Sequence, residues 1–211
     1  MMEPGDPDSV RRYFDRQARE YSERSAGGIW RWLRAREARA VLGLLQPRPD
    51  EEILDAGSGS GYYTGLVASS GARVTALDFS ASMLSALRQT MHIDIIEGDL
   101  ASTALIPKFD KVLCAGALEF VPDPAAAVAN LACALKPDGP GEMVLLVPAD
   151  TLGGRIYRRF HRSHGITVNL FNQDRLADLL AETPGFRIDE FRRVTFNFAV
   201  RLRRVAANPS K

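Results

Sequence analysis

Ile53-Leu54-Asp55-Ala56-Gly57-Ser58-Gly59-Ser60-Gly61 is the stretch on which the reading of this chain turns. Two apolar residues run into an aspartate, three glycines alternate with small residues, and residues 62–69 read as the start of a helix. Strand, glycine turn, helix is how an α/β sheet brings backbone against a nucleotide-like ligand. A Cβ at such glycines would block the ligand or a turn that needs positive φ. The spacing narrows the choice. A dinucleotide site needs Gly-x-Gly-x-x-Gly, yet the sixth position counted from Gly57 is Tyr62, and counted from Gly59 it is Thr64. No Lys-Ser/Thr pair follows, which removes a phosphate-cradling P-loop. What remains is an acid two residues before the first glycine, Asp-x-Gly-x-Gly-x-Gly. A glycine turn that serves packing alone would have the same sequence.

The 211 residues suffice for one α/β domain with some decoration, and 45% hydrophobic with 25% charged residues is ordinary for a globular protein. No apolar run approaches the roughly 18 residues of a membrane span. Met1-Met2-Glu3-Pro4-Gly5-Asp6 has neither the basic start nor the apolar core of a signal peptide. Cys114 and Cys133 read as buried small hydrophobes, so a reduced, cytoplasmic protein is expected. With two cysteines and scattered His92, His161 and His164, no metal site is expected. The net charge of +1 hides an uneven distribution: residues 51–150 hold 5 basic and 13 acidic residues, and residues 151–211 hold 12 and 5. Either something anionic meets the C-terminal part, or the surface is a mosaic that averages near neutral.

Outward from the glycine turn, strands and helices alternate. Strands are predicted over 52–55, 73–78, 93–97, 110–114 and 142–147, and helices over 62–69, 80–90 and 124–135. Asp123-Pro124 supplies an N-cap acid and a first-turn proline for the last of these helices. Such alternation implies a parallel sheet with helices on both faces. Before it, Ser9 can cap a helix with Val10, Tyr13, Phe14, Gln17 and Tyr21 on one face, and Gly27-Gly28 breaks that helix. A second helix over 30–45 carries Trp30, Leu33, Val41 and Leu45 on its apolar side. Residues 1–49 are thus expected to form a helical lid across the sheet or over its ligand end. After the core at 50–148, a lid or insertion is expected at 149–172. In it Leu152, Ile156, Tyr157 and Phe160 share one side of a helix, and Arg155, Arg158, Arg159 and Arg162 the other. Residues 173–211 read as a helix capped by Asn172 and two antiparallel strands. One begins at Phe186 and Ile188, and the other alternates through Val194, Phe196, Phe198, Val200 and Leu202.

Strand ends carry further marks. The second ends at Asp78, followed by Phe79-Ser80; the third runs into Glu97-Gly98-Asp99-Leu100. The fourth leads into Ala115-Gly116-Ala117-Leu118-Glu119-Phe120-Val121-Pro122-Asp123, and Leu135-Lys136-Pro137-Asp138-Gly139 precedes the fifth. With the glycine turn, these marks resemble the motifs of the class I S-adenosylmethionine-dependent methyltransferases, strongly over residues 50–148 and loosely in the closing strands. Tyr13-Phe14-Asp15 and Tyr21 are similar to the opening of the small-molecule branch that includes the ubiquinone/menaquinone C-methyltransferases and related natural-product enzymes.

The resemblance implies a doubly wound, mostly parallel seven-stranded Rossmann-like α/β sheet with an antiparallel strand near the C-terminal edge. It implies S-adenosyl-L-methionine as cofactor and S-adenosyl-L-homocysteine as product. Asp55, Gly57, Ser58, Gly59 and Gly61 would form the turn, with a carboxylate near the ammonium of the amino-acid tail. Asp78 would accept from the ribose hydroxyls beside Phe79 and Met83, although a loop acid capping the next helix reads the same way. Gly98, Asp99 and Leu100 would meet the adenine, Ala115 would line the site, and Tyr21 would close over it. A nucleophile on the substrate would displace the sulfonium in line, aligned by proximity. His161, His164 and Glu119 are the candidate bases, because Phe120 stands where many relatives carry a histidine. Tyr13, Trp30, Tyr157, Arg155 and Arg158 are candidate substrate contacts, joined by Trp32, Phe160 and Phe171. They suit an aromatic, lipidic or anionic small-molecule acceptor, or an anionic membrane surface, or else form a solvated helix face. No nucleic-acid partner and no transmembrane segment are expected; peripheral membrane contact and a monomer or homodimer stay open. The alternatives are a nucleic-acid methyltransferase, suggested by the basic tail but lacking an Asn/Asp-Pro-Pro-Tyr/Phe motif, and a non-catalytic S-adenosylmethionine-binding protein. An NAD-dependent oxidoreductase ranks last on the glycine spacing.

Overall fold

The computed structural model describes residues 10–15, 28–181, 183 and 185–205. Residues 10–15 form helix α1. After it come α2 (Gly28–Leu45), β1 (Glu52–Ala56), α3 (Tyr62–Ala68), β2 (Arg73–Asp78), α4 (Ala81–Thr90), β3 (Asp94–Glu97) and β4 (Lys111–Ala115). A 3-10 turn (Leu118–Phe120), α5 (Pro124–Cys133), β5 (Glu142–Pro148), α6 (Leu152–Ser163), α7 (Gln173–Ala181), β6 (Phe186–Val194) and β7 (Asn197–Arg204) complete the order. The expected cap at Ser9 and the facial residues Gln17 and Tyr21 lie outside the described residues.

The strands pair in the order β3-β2-β1-β4-β5-β7-β6, parallel except where β7 runs antiparallel to both neighbours. Strands β1, β4 and β5 are near-continuous apolar runs because helices cover both faces. On one face Leu131 and Leu135 from the α5 region and Leu176 and Leu179 of α7 pack on the sheet with Phe171. On the other, Val41, Leu44 and Leu45 of α2 and Val67 of α3 pack against Ile53, Leu113 and Val144. Connections from β1 and β4 lead to opposite sides of the sheet, so their C-terminal ends open a crevice at the reversal point. At the other end the buried Lys111 Nζ donates to Glu51 Oε2 at 2.9 Å and to the Gln46 carbonyl at 2.8 Å, fastening the strand entrances.

In its C-terminal half helix α2 lies across the sheet, where Val41, Leu44 and Leu45 are wholly buried. Three expectations need correction. The alternating run from Val194 is no single strand: the chain turns at Thr195, with φ 52°, and Phe196, so β6 ends at Val194 and β7 begins at Asn197. Val194 pairs with Asn197 and packs on the face of Ala199, while Phe198, Val200 and Leu202 pack on the other face, so alternation unbroken in sequence conceals a change of face at the two-residue turn. Cys133 is exposed, unlike Cys114. Phe171 is fully buried in the main core rather than facing a ligand.

Candidate active site

The glycine turn folds as it does because three of its residues hold positive φ: Gly57 at 75°, Gly59 at 51° and Gly61 at 85°. The Gly57 and Ser58 N–H groups donate to the Leu77 carbonyl at 2.7 and 3.1 Å, tying the turn to β2. A Cβ on Gly57 would lie 2.2 Å from Ala117 Cβ, so the β1 turn and the segment after β4 approach as closely as glycine permits. Asp78, at the end of β2, accepts the Gly59 N–H at 2.8 Å on one oxygen and the Ser80 N–H at 2.9 Å on the other. Burial raises its carboxyl above the ordinary range.

A cleft of about 950 Å³, its open mouth included, lies over these strand ends. Gly57, Ser58, Gly59, Asp78, Phe79, Met83, Asp99, Leu100 and Ala115 all line it, nine positions expected from the sequence. Ser58 Oγ is buried without a hydrogen-bond partner, a donor and acceptor available to a ligand. Asp99 holds its own turn by accepting the Ala101 and Ser102 N–H groups at 2.8 and 3.1 Å.

Three further expected positions shape the cleft from behind. Asp55 is buried beneath the turn and accepts the Thr64 hydroxyl at 2.6 Å, joining β1 to α3; burial, with the charge of Asp78, pushes its carboxyl up to about 6. Gly61 begins α3 where a Cβ would strike Leu87 Cδ2 at 2.3 Å, and Gly98 packs on Thr103. Tyr21 lies outside the described residues, as does the side chain of Trp30.

The walls also contain residues not named as site positions, although Val10, Phe14 and residues 116–122 stood in the quoted stretches: Val10 and Phe14 of α1, Arg34 of α2, Tyr62 and Tyr63 of α3, and Gly116, Ala117, Phe120, Val121 and Pro122 after β4. Phe14 and Phe120 meet edge to face with ring centres 5.0 Å apart. Helix α1 is held there by Asp15, which accepts the Ser80 and Ser82 hydroxyls at 2.6 and 2.7 Å, and by the Arg11–Glu97 pair at 3.0 Å. The Tyr13-Phe14-Asp15 stretch carried that signal through its resemblance to the opening of the small-molecule branch. The Arg34 guanidinium sits 4.4 Å over the Tyr62 ring.

The candidate bases separate clearly. His164 is exposed, with Nδ1 2.9 Å from the Phe160 carbonyl oxygen. His161 is buried behind Phe120 and ringed by Tyr13, Tyr157 and Phe160; its Nδ1 has no partner, and burial with the charge of His164 pulls it down to about 4. Glu119 is 4% exposed and its Oε2 is unpartnered. Burial, reinforced by Glu37, pushes its carboxyl up to about 8. Its Oε1 lies 4.0 Å from where a Cβ on Gly116 would stand, directly behind a residue of the cleft wall. Tyr13 and Tyr157 pack against the wall from outside, while Arg155 and Arg158 line a separate groove on α6. Phe160 and Trp32 face solvent at 54% and 55% exposure, so neither meets a ligand in the cleft.

Residues 54–140 match a protein-family model described as a methyltransferase domain. A ubiquinone biosynthesis O-methyltransferase of Alkalilimnicola ehrlichii is 37% identical over 105 residues, 46% of this chain and 41% of that enzyme. A demethylmenaquinone methyltransferase of Corynebacterium kroppenstedtii is 31% identical over 138 residues, 63% and 58% of the two chains. The chain thus spans about half the length of the curated relatives it matches. Among solved structures, magnesium protoporphyrin IX methyltransferase from Synechocystis PCC 6803 with bound S-adenosylhomocysteine superposes with a TM-score of 0.74 at 21% identity, covering 95% of this chain and all of that one. The fold is that of the class I methyltransferases, and residues 54–140 resemble a methyltransferase domain.

Proposed function

We propose that this chain uses S-adenosylmethionine to methylate a small-molecule acceptor. The observation that carries the reading is the cleft itself: a glycine turn with an orphaned Ser58 hydroxyl, followed by Asp78 and Asp99 at the next two strand ends. These residues fit the group. Gly57 and Gly59 keep the floor free of side chains, Asp78 offers a carboxylate for a diol, and the apolar Phe79, Met83 and Leu100 flank a flat ring. When bound, the cofactor supplies a methyl on a positively charged sulfur, so the chain's task is alignment more than activation.

Phe14, Phe120, Tyr62 and Tyr63 make the remaining walls aromatic, which favours a flat or lipidic acceptor, and Arg34 gives an anionic substituent a partner. Glu119, whose carboxyl is raised to about 8 and stands behind the wall at Gly116, serves as proton acceptor for a hydroxyl or acidic carbon only in its ionised form, so turnover on such an acceptor rises as pH climbs toward 8. Asp55 and Gly61 support the turn through Thr64 and Leu87, and Gly98 ties β3 to the end of β2 by donating its N–H to the Asp78 carbonyl.

The test is thermal unfolding with S-adenosylhomocysteine and, separately, with NAD. Ligand at about 100 times its dissociation constant adds about 2.7 kcal/mol, a rise of roughly 5–10 °C for a chain of this length. A rise with S-adenosylhomocysteine alone supports the reading; a rise with NAD alone, or with neither, ends it.

A further inference from the structure

Helix α6 divides into three sectors. At about 100° per residue, Tyr157, His161 and Gly154 fall together on its inner side. That side is pinned: Gly154 and His161 are buried, a Cβ on Gly154 would stand 2.0 Å from the Ala149 carbonyl oxygen, and Tyr157 packs with Ile166, Val168 and Leu170. Leu152, Ile156 and Phe160, at i, i+4 and i+8, form a second sector that faces outward, exposed at 78%, 62% and 54%. The β6–β7 hairpin tip extends it, for Phe196 is 50% exposed and lies against Gly153. Arg155, Arg158, Arg159 and Arg162 occupy the third sector and line one groove.

Such a helix does not bury its apolar stripe in its own core, which is the usual reason for amphipathicity. Its charge is also unspent. In the hairpin, Arg187, Arg192, Arg201 and Arg203 pair with Asp189, Glu190 or Glu142. On α6, Arg155 pairs with Asp150 at 2.8 Å, whereas Arg159 and Arg162 have no acidic partner among the described residues. A large apolar stripe flanked by uncompensated arginines matches one environment, where hydrocarbon lies beneath negatively charged headgroups.

We propose that α6, with the Phe196 hairpin tip, is a docking surface for an anionic lipid bilayer. The stripe from Leu152 to Phe160, about 12 Å of helix, enters the headgroup–acyl boundary while Arg158, Arg159 and Arg162 meet phosphates beside it. This surface is outside the cleft and does not depend on the methyl-transfer reading.

The experiment is co-sedimentation of the full chain with vesicles of phosphatidylcholine alone or mixed with phosphatidylglycerol, at low and high salt. Uptake by the anionic vesicles only, weakened by salt, is expected. The triple variant Arg158→Gln/Arg159→Gln/Arg162→Gln should lower partitioning about a hundredfold, at roughly fivefold per arginine. Ile156→Ser/Phe160→Ser should also lower it, with salt dependence retained. All these side chains are exposed, so both variants should keep the parent's unfolding midpoint, which is measured alongside. Equal uptake by neutral vesicles, no uptake, or uptake untouched by both variants overturns the proposal. So does a self-association, seen in sedimentation velocity, that Ile156→Ser/Phe160→Ser abolishes without vesicle binding in the parent, or capture of RNA in place of vesicles.

Discussion

Replacing Glu119 with glutamine should change how stability depends on pH. Burial places the native carboxyl at about 8, against 4.5 for the free side chain. Between those values the unfolded chain holds this group ionised and the native chain holds it protonated. The native state therefore binds the extra proton, and stability falls as pH rises through the window. At about 1.36 kcal/mol per pH unit, the gap amounts to roughly 4–5 kcal/mol, present at pH 4.5 and gone by pH 8. Glu119→Gln removes the titration and adds a pH-independent cost of about 1–3 kcal/mol for an unpaired buried amide. Parent and variant curves should therefore cross, the parent being more stable near pH 5 and the variant near pH 8. At roughly 2–4 °C per kcal/mol for this chain length, the difference in midpoint should swing by at least about 8 °C. Asp55, Asp78 and Glu37 are also raised by burial, but they titrate in both proteins and cancel to first order. The assay is thermal unfolding followed by circular dichroism from pH 5 to 8.5. Parallel curves, with a pH-independent offset, would refute the assignment of a buried, protonated Glu119. The same variant should still bind S-adenosylhomocysteine while turnover on a hydroxyl acceptor falls roughly 10²–10⁴-fold.

Asp78→Ala removes the acceptor of the Gly59 and Ser80 N–H groups, so titration calorimetry should show cofactor affinity weaker by roughly 1.5–3 kcal/mol and denaturant unfolding a comparable loss. Gly57→Ala combines a positive φ with a Cβ 2.2 Å from Ala117; it should cost roughly 1–3 kcal/mol and abolish the thermal shift with S-adenosylhomocysteine, and an unchanged shift would contradict the turn geometry. His161→Leu should resist acid better than the parent. The native imidazole is neutral down to about pH 4 while the unfolded one protonates below 6.5, so the parent alone loses stability from this group across that window in acid titrations of unfolding. Phe171→Ala should destabilise by about 3–5 kcal/mol, as expected of a core aromatic, yet leave S-adenosylhomocysteine affinity per folded molecule unchanged; the opposite pattern would return Phe171 to the site.

What the sequence by itself determined is local. The spacing of Gly57, Gly59 and Gly61 follows from backbone sterics within one turn. The acids Asp55, Asp78 and Asp99 sit at strand ends because strand length and the glycines that follow are written in neighbouring residues. With the alternation of strands and helices, these implied the parallel sheet, while the cleft positions came from the family resemblance that the motifs carry. The tertiary structure decided what each face meets. Asp55 turned inward to Thr64, Phe14 and Phe120 became opposite halves of one wall, and Glu119 was buried. Periodicity grouped Leu152, Ile156 and Phe160 correctly but could not say that they face outward while Tyr157 and His161 face in. A helix repeat fixes which side chains share a face. Whether that face is buried depends on residues far away in the chain, brought beside it only by the fold.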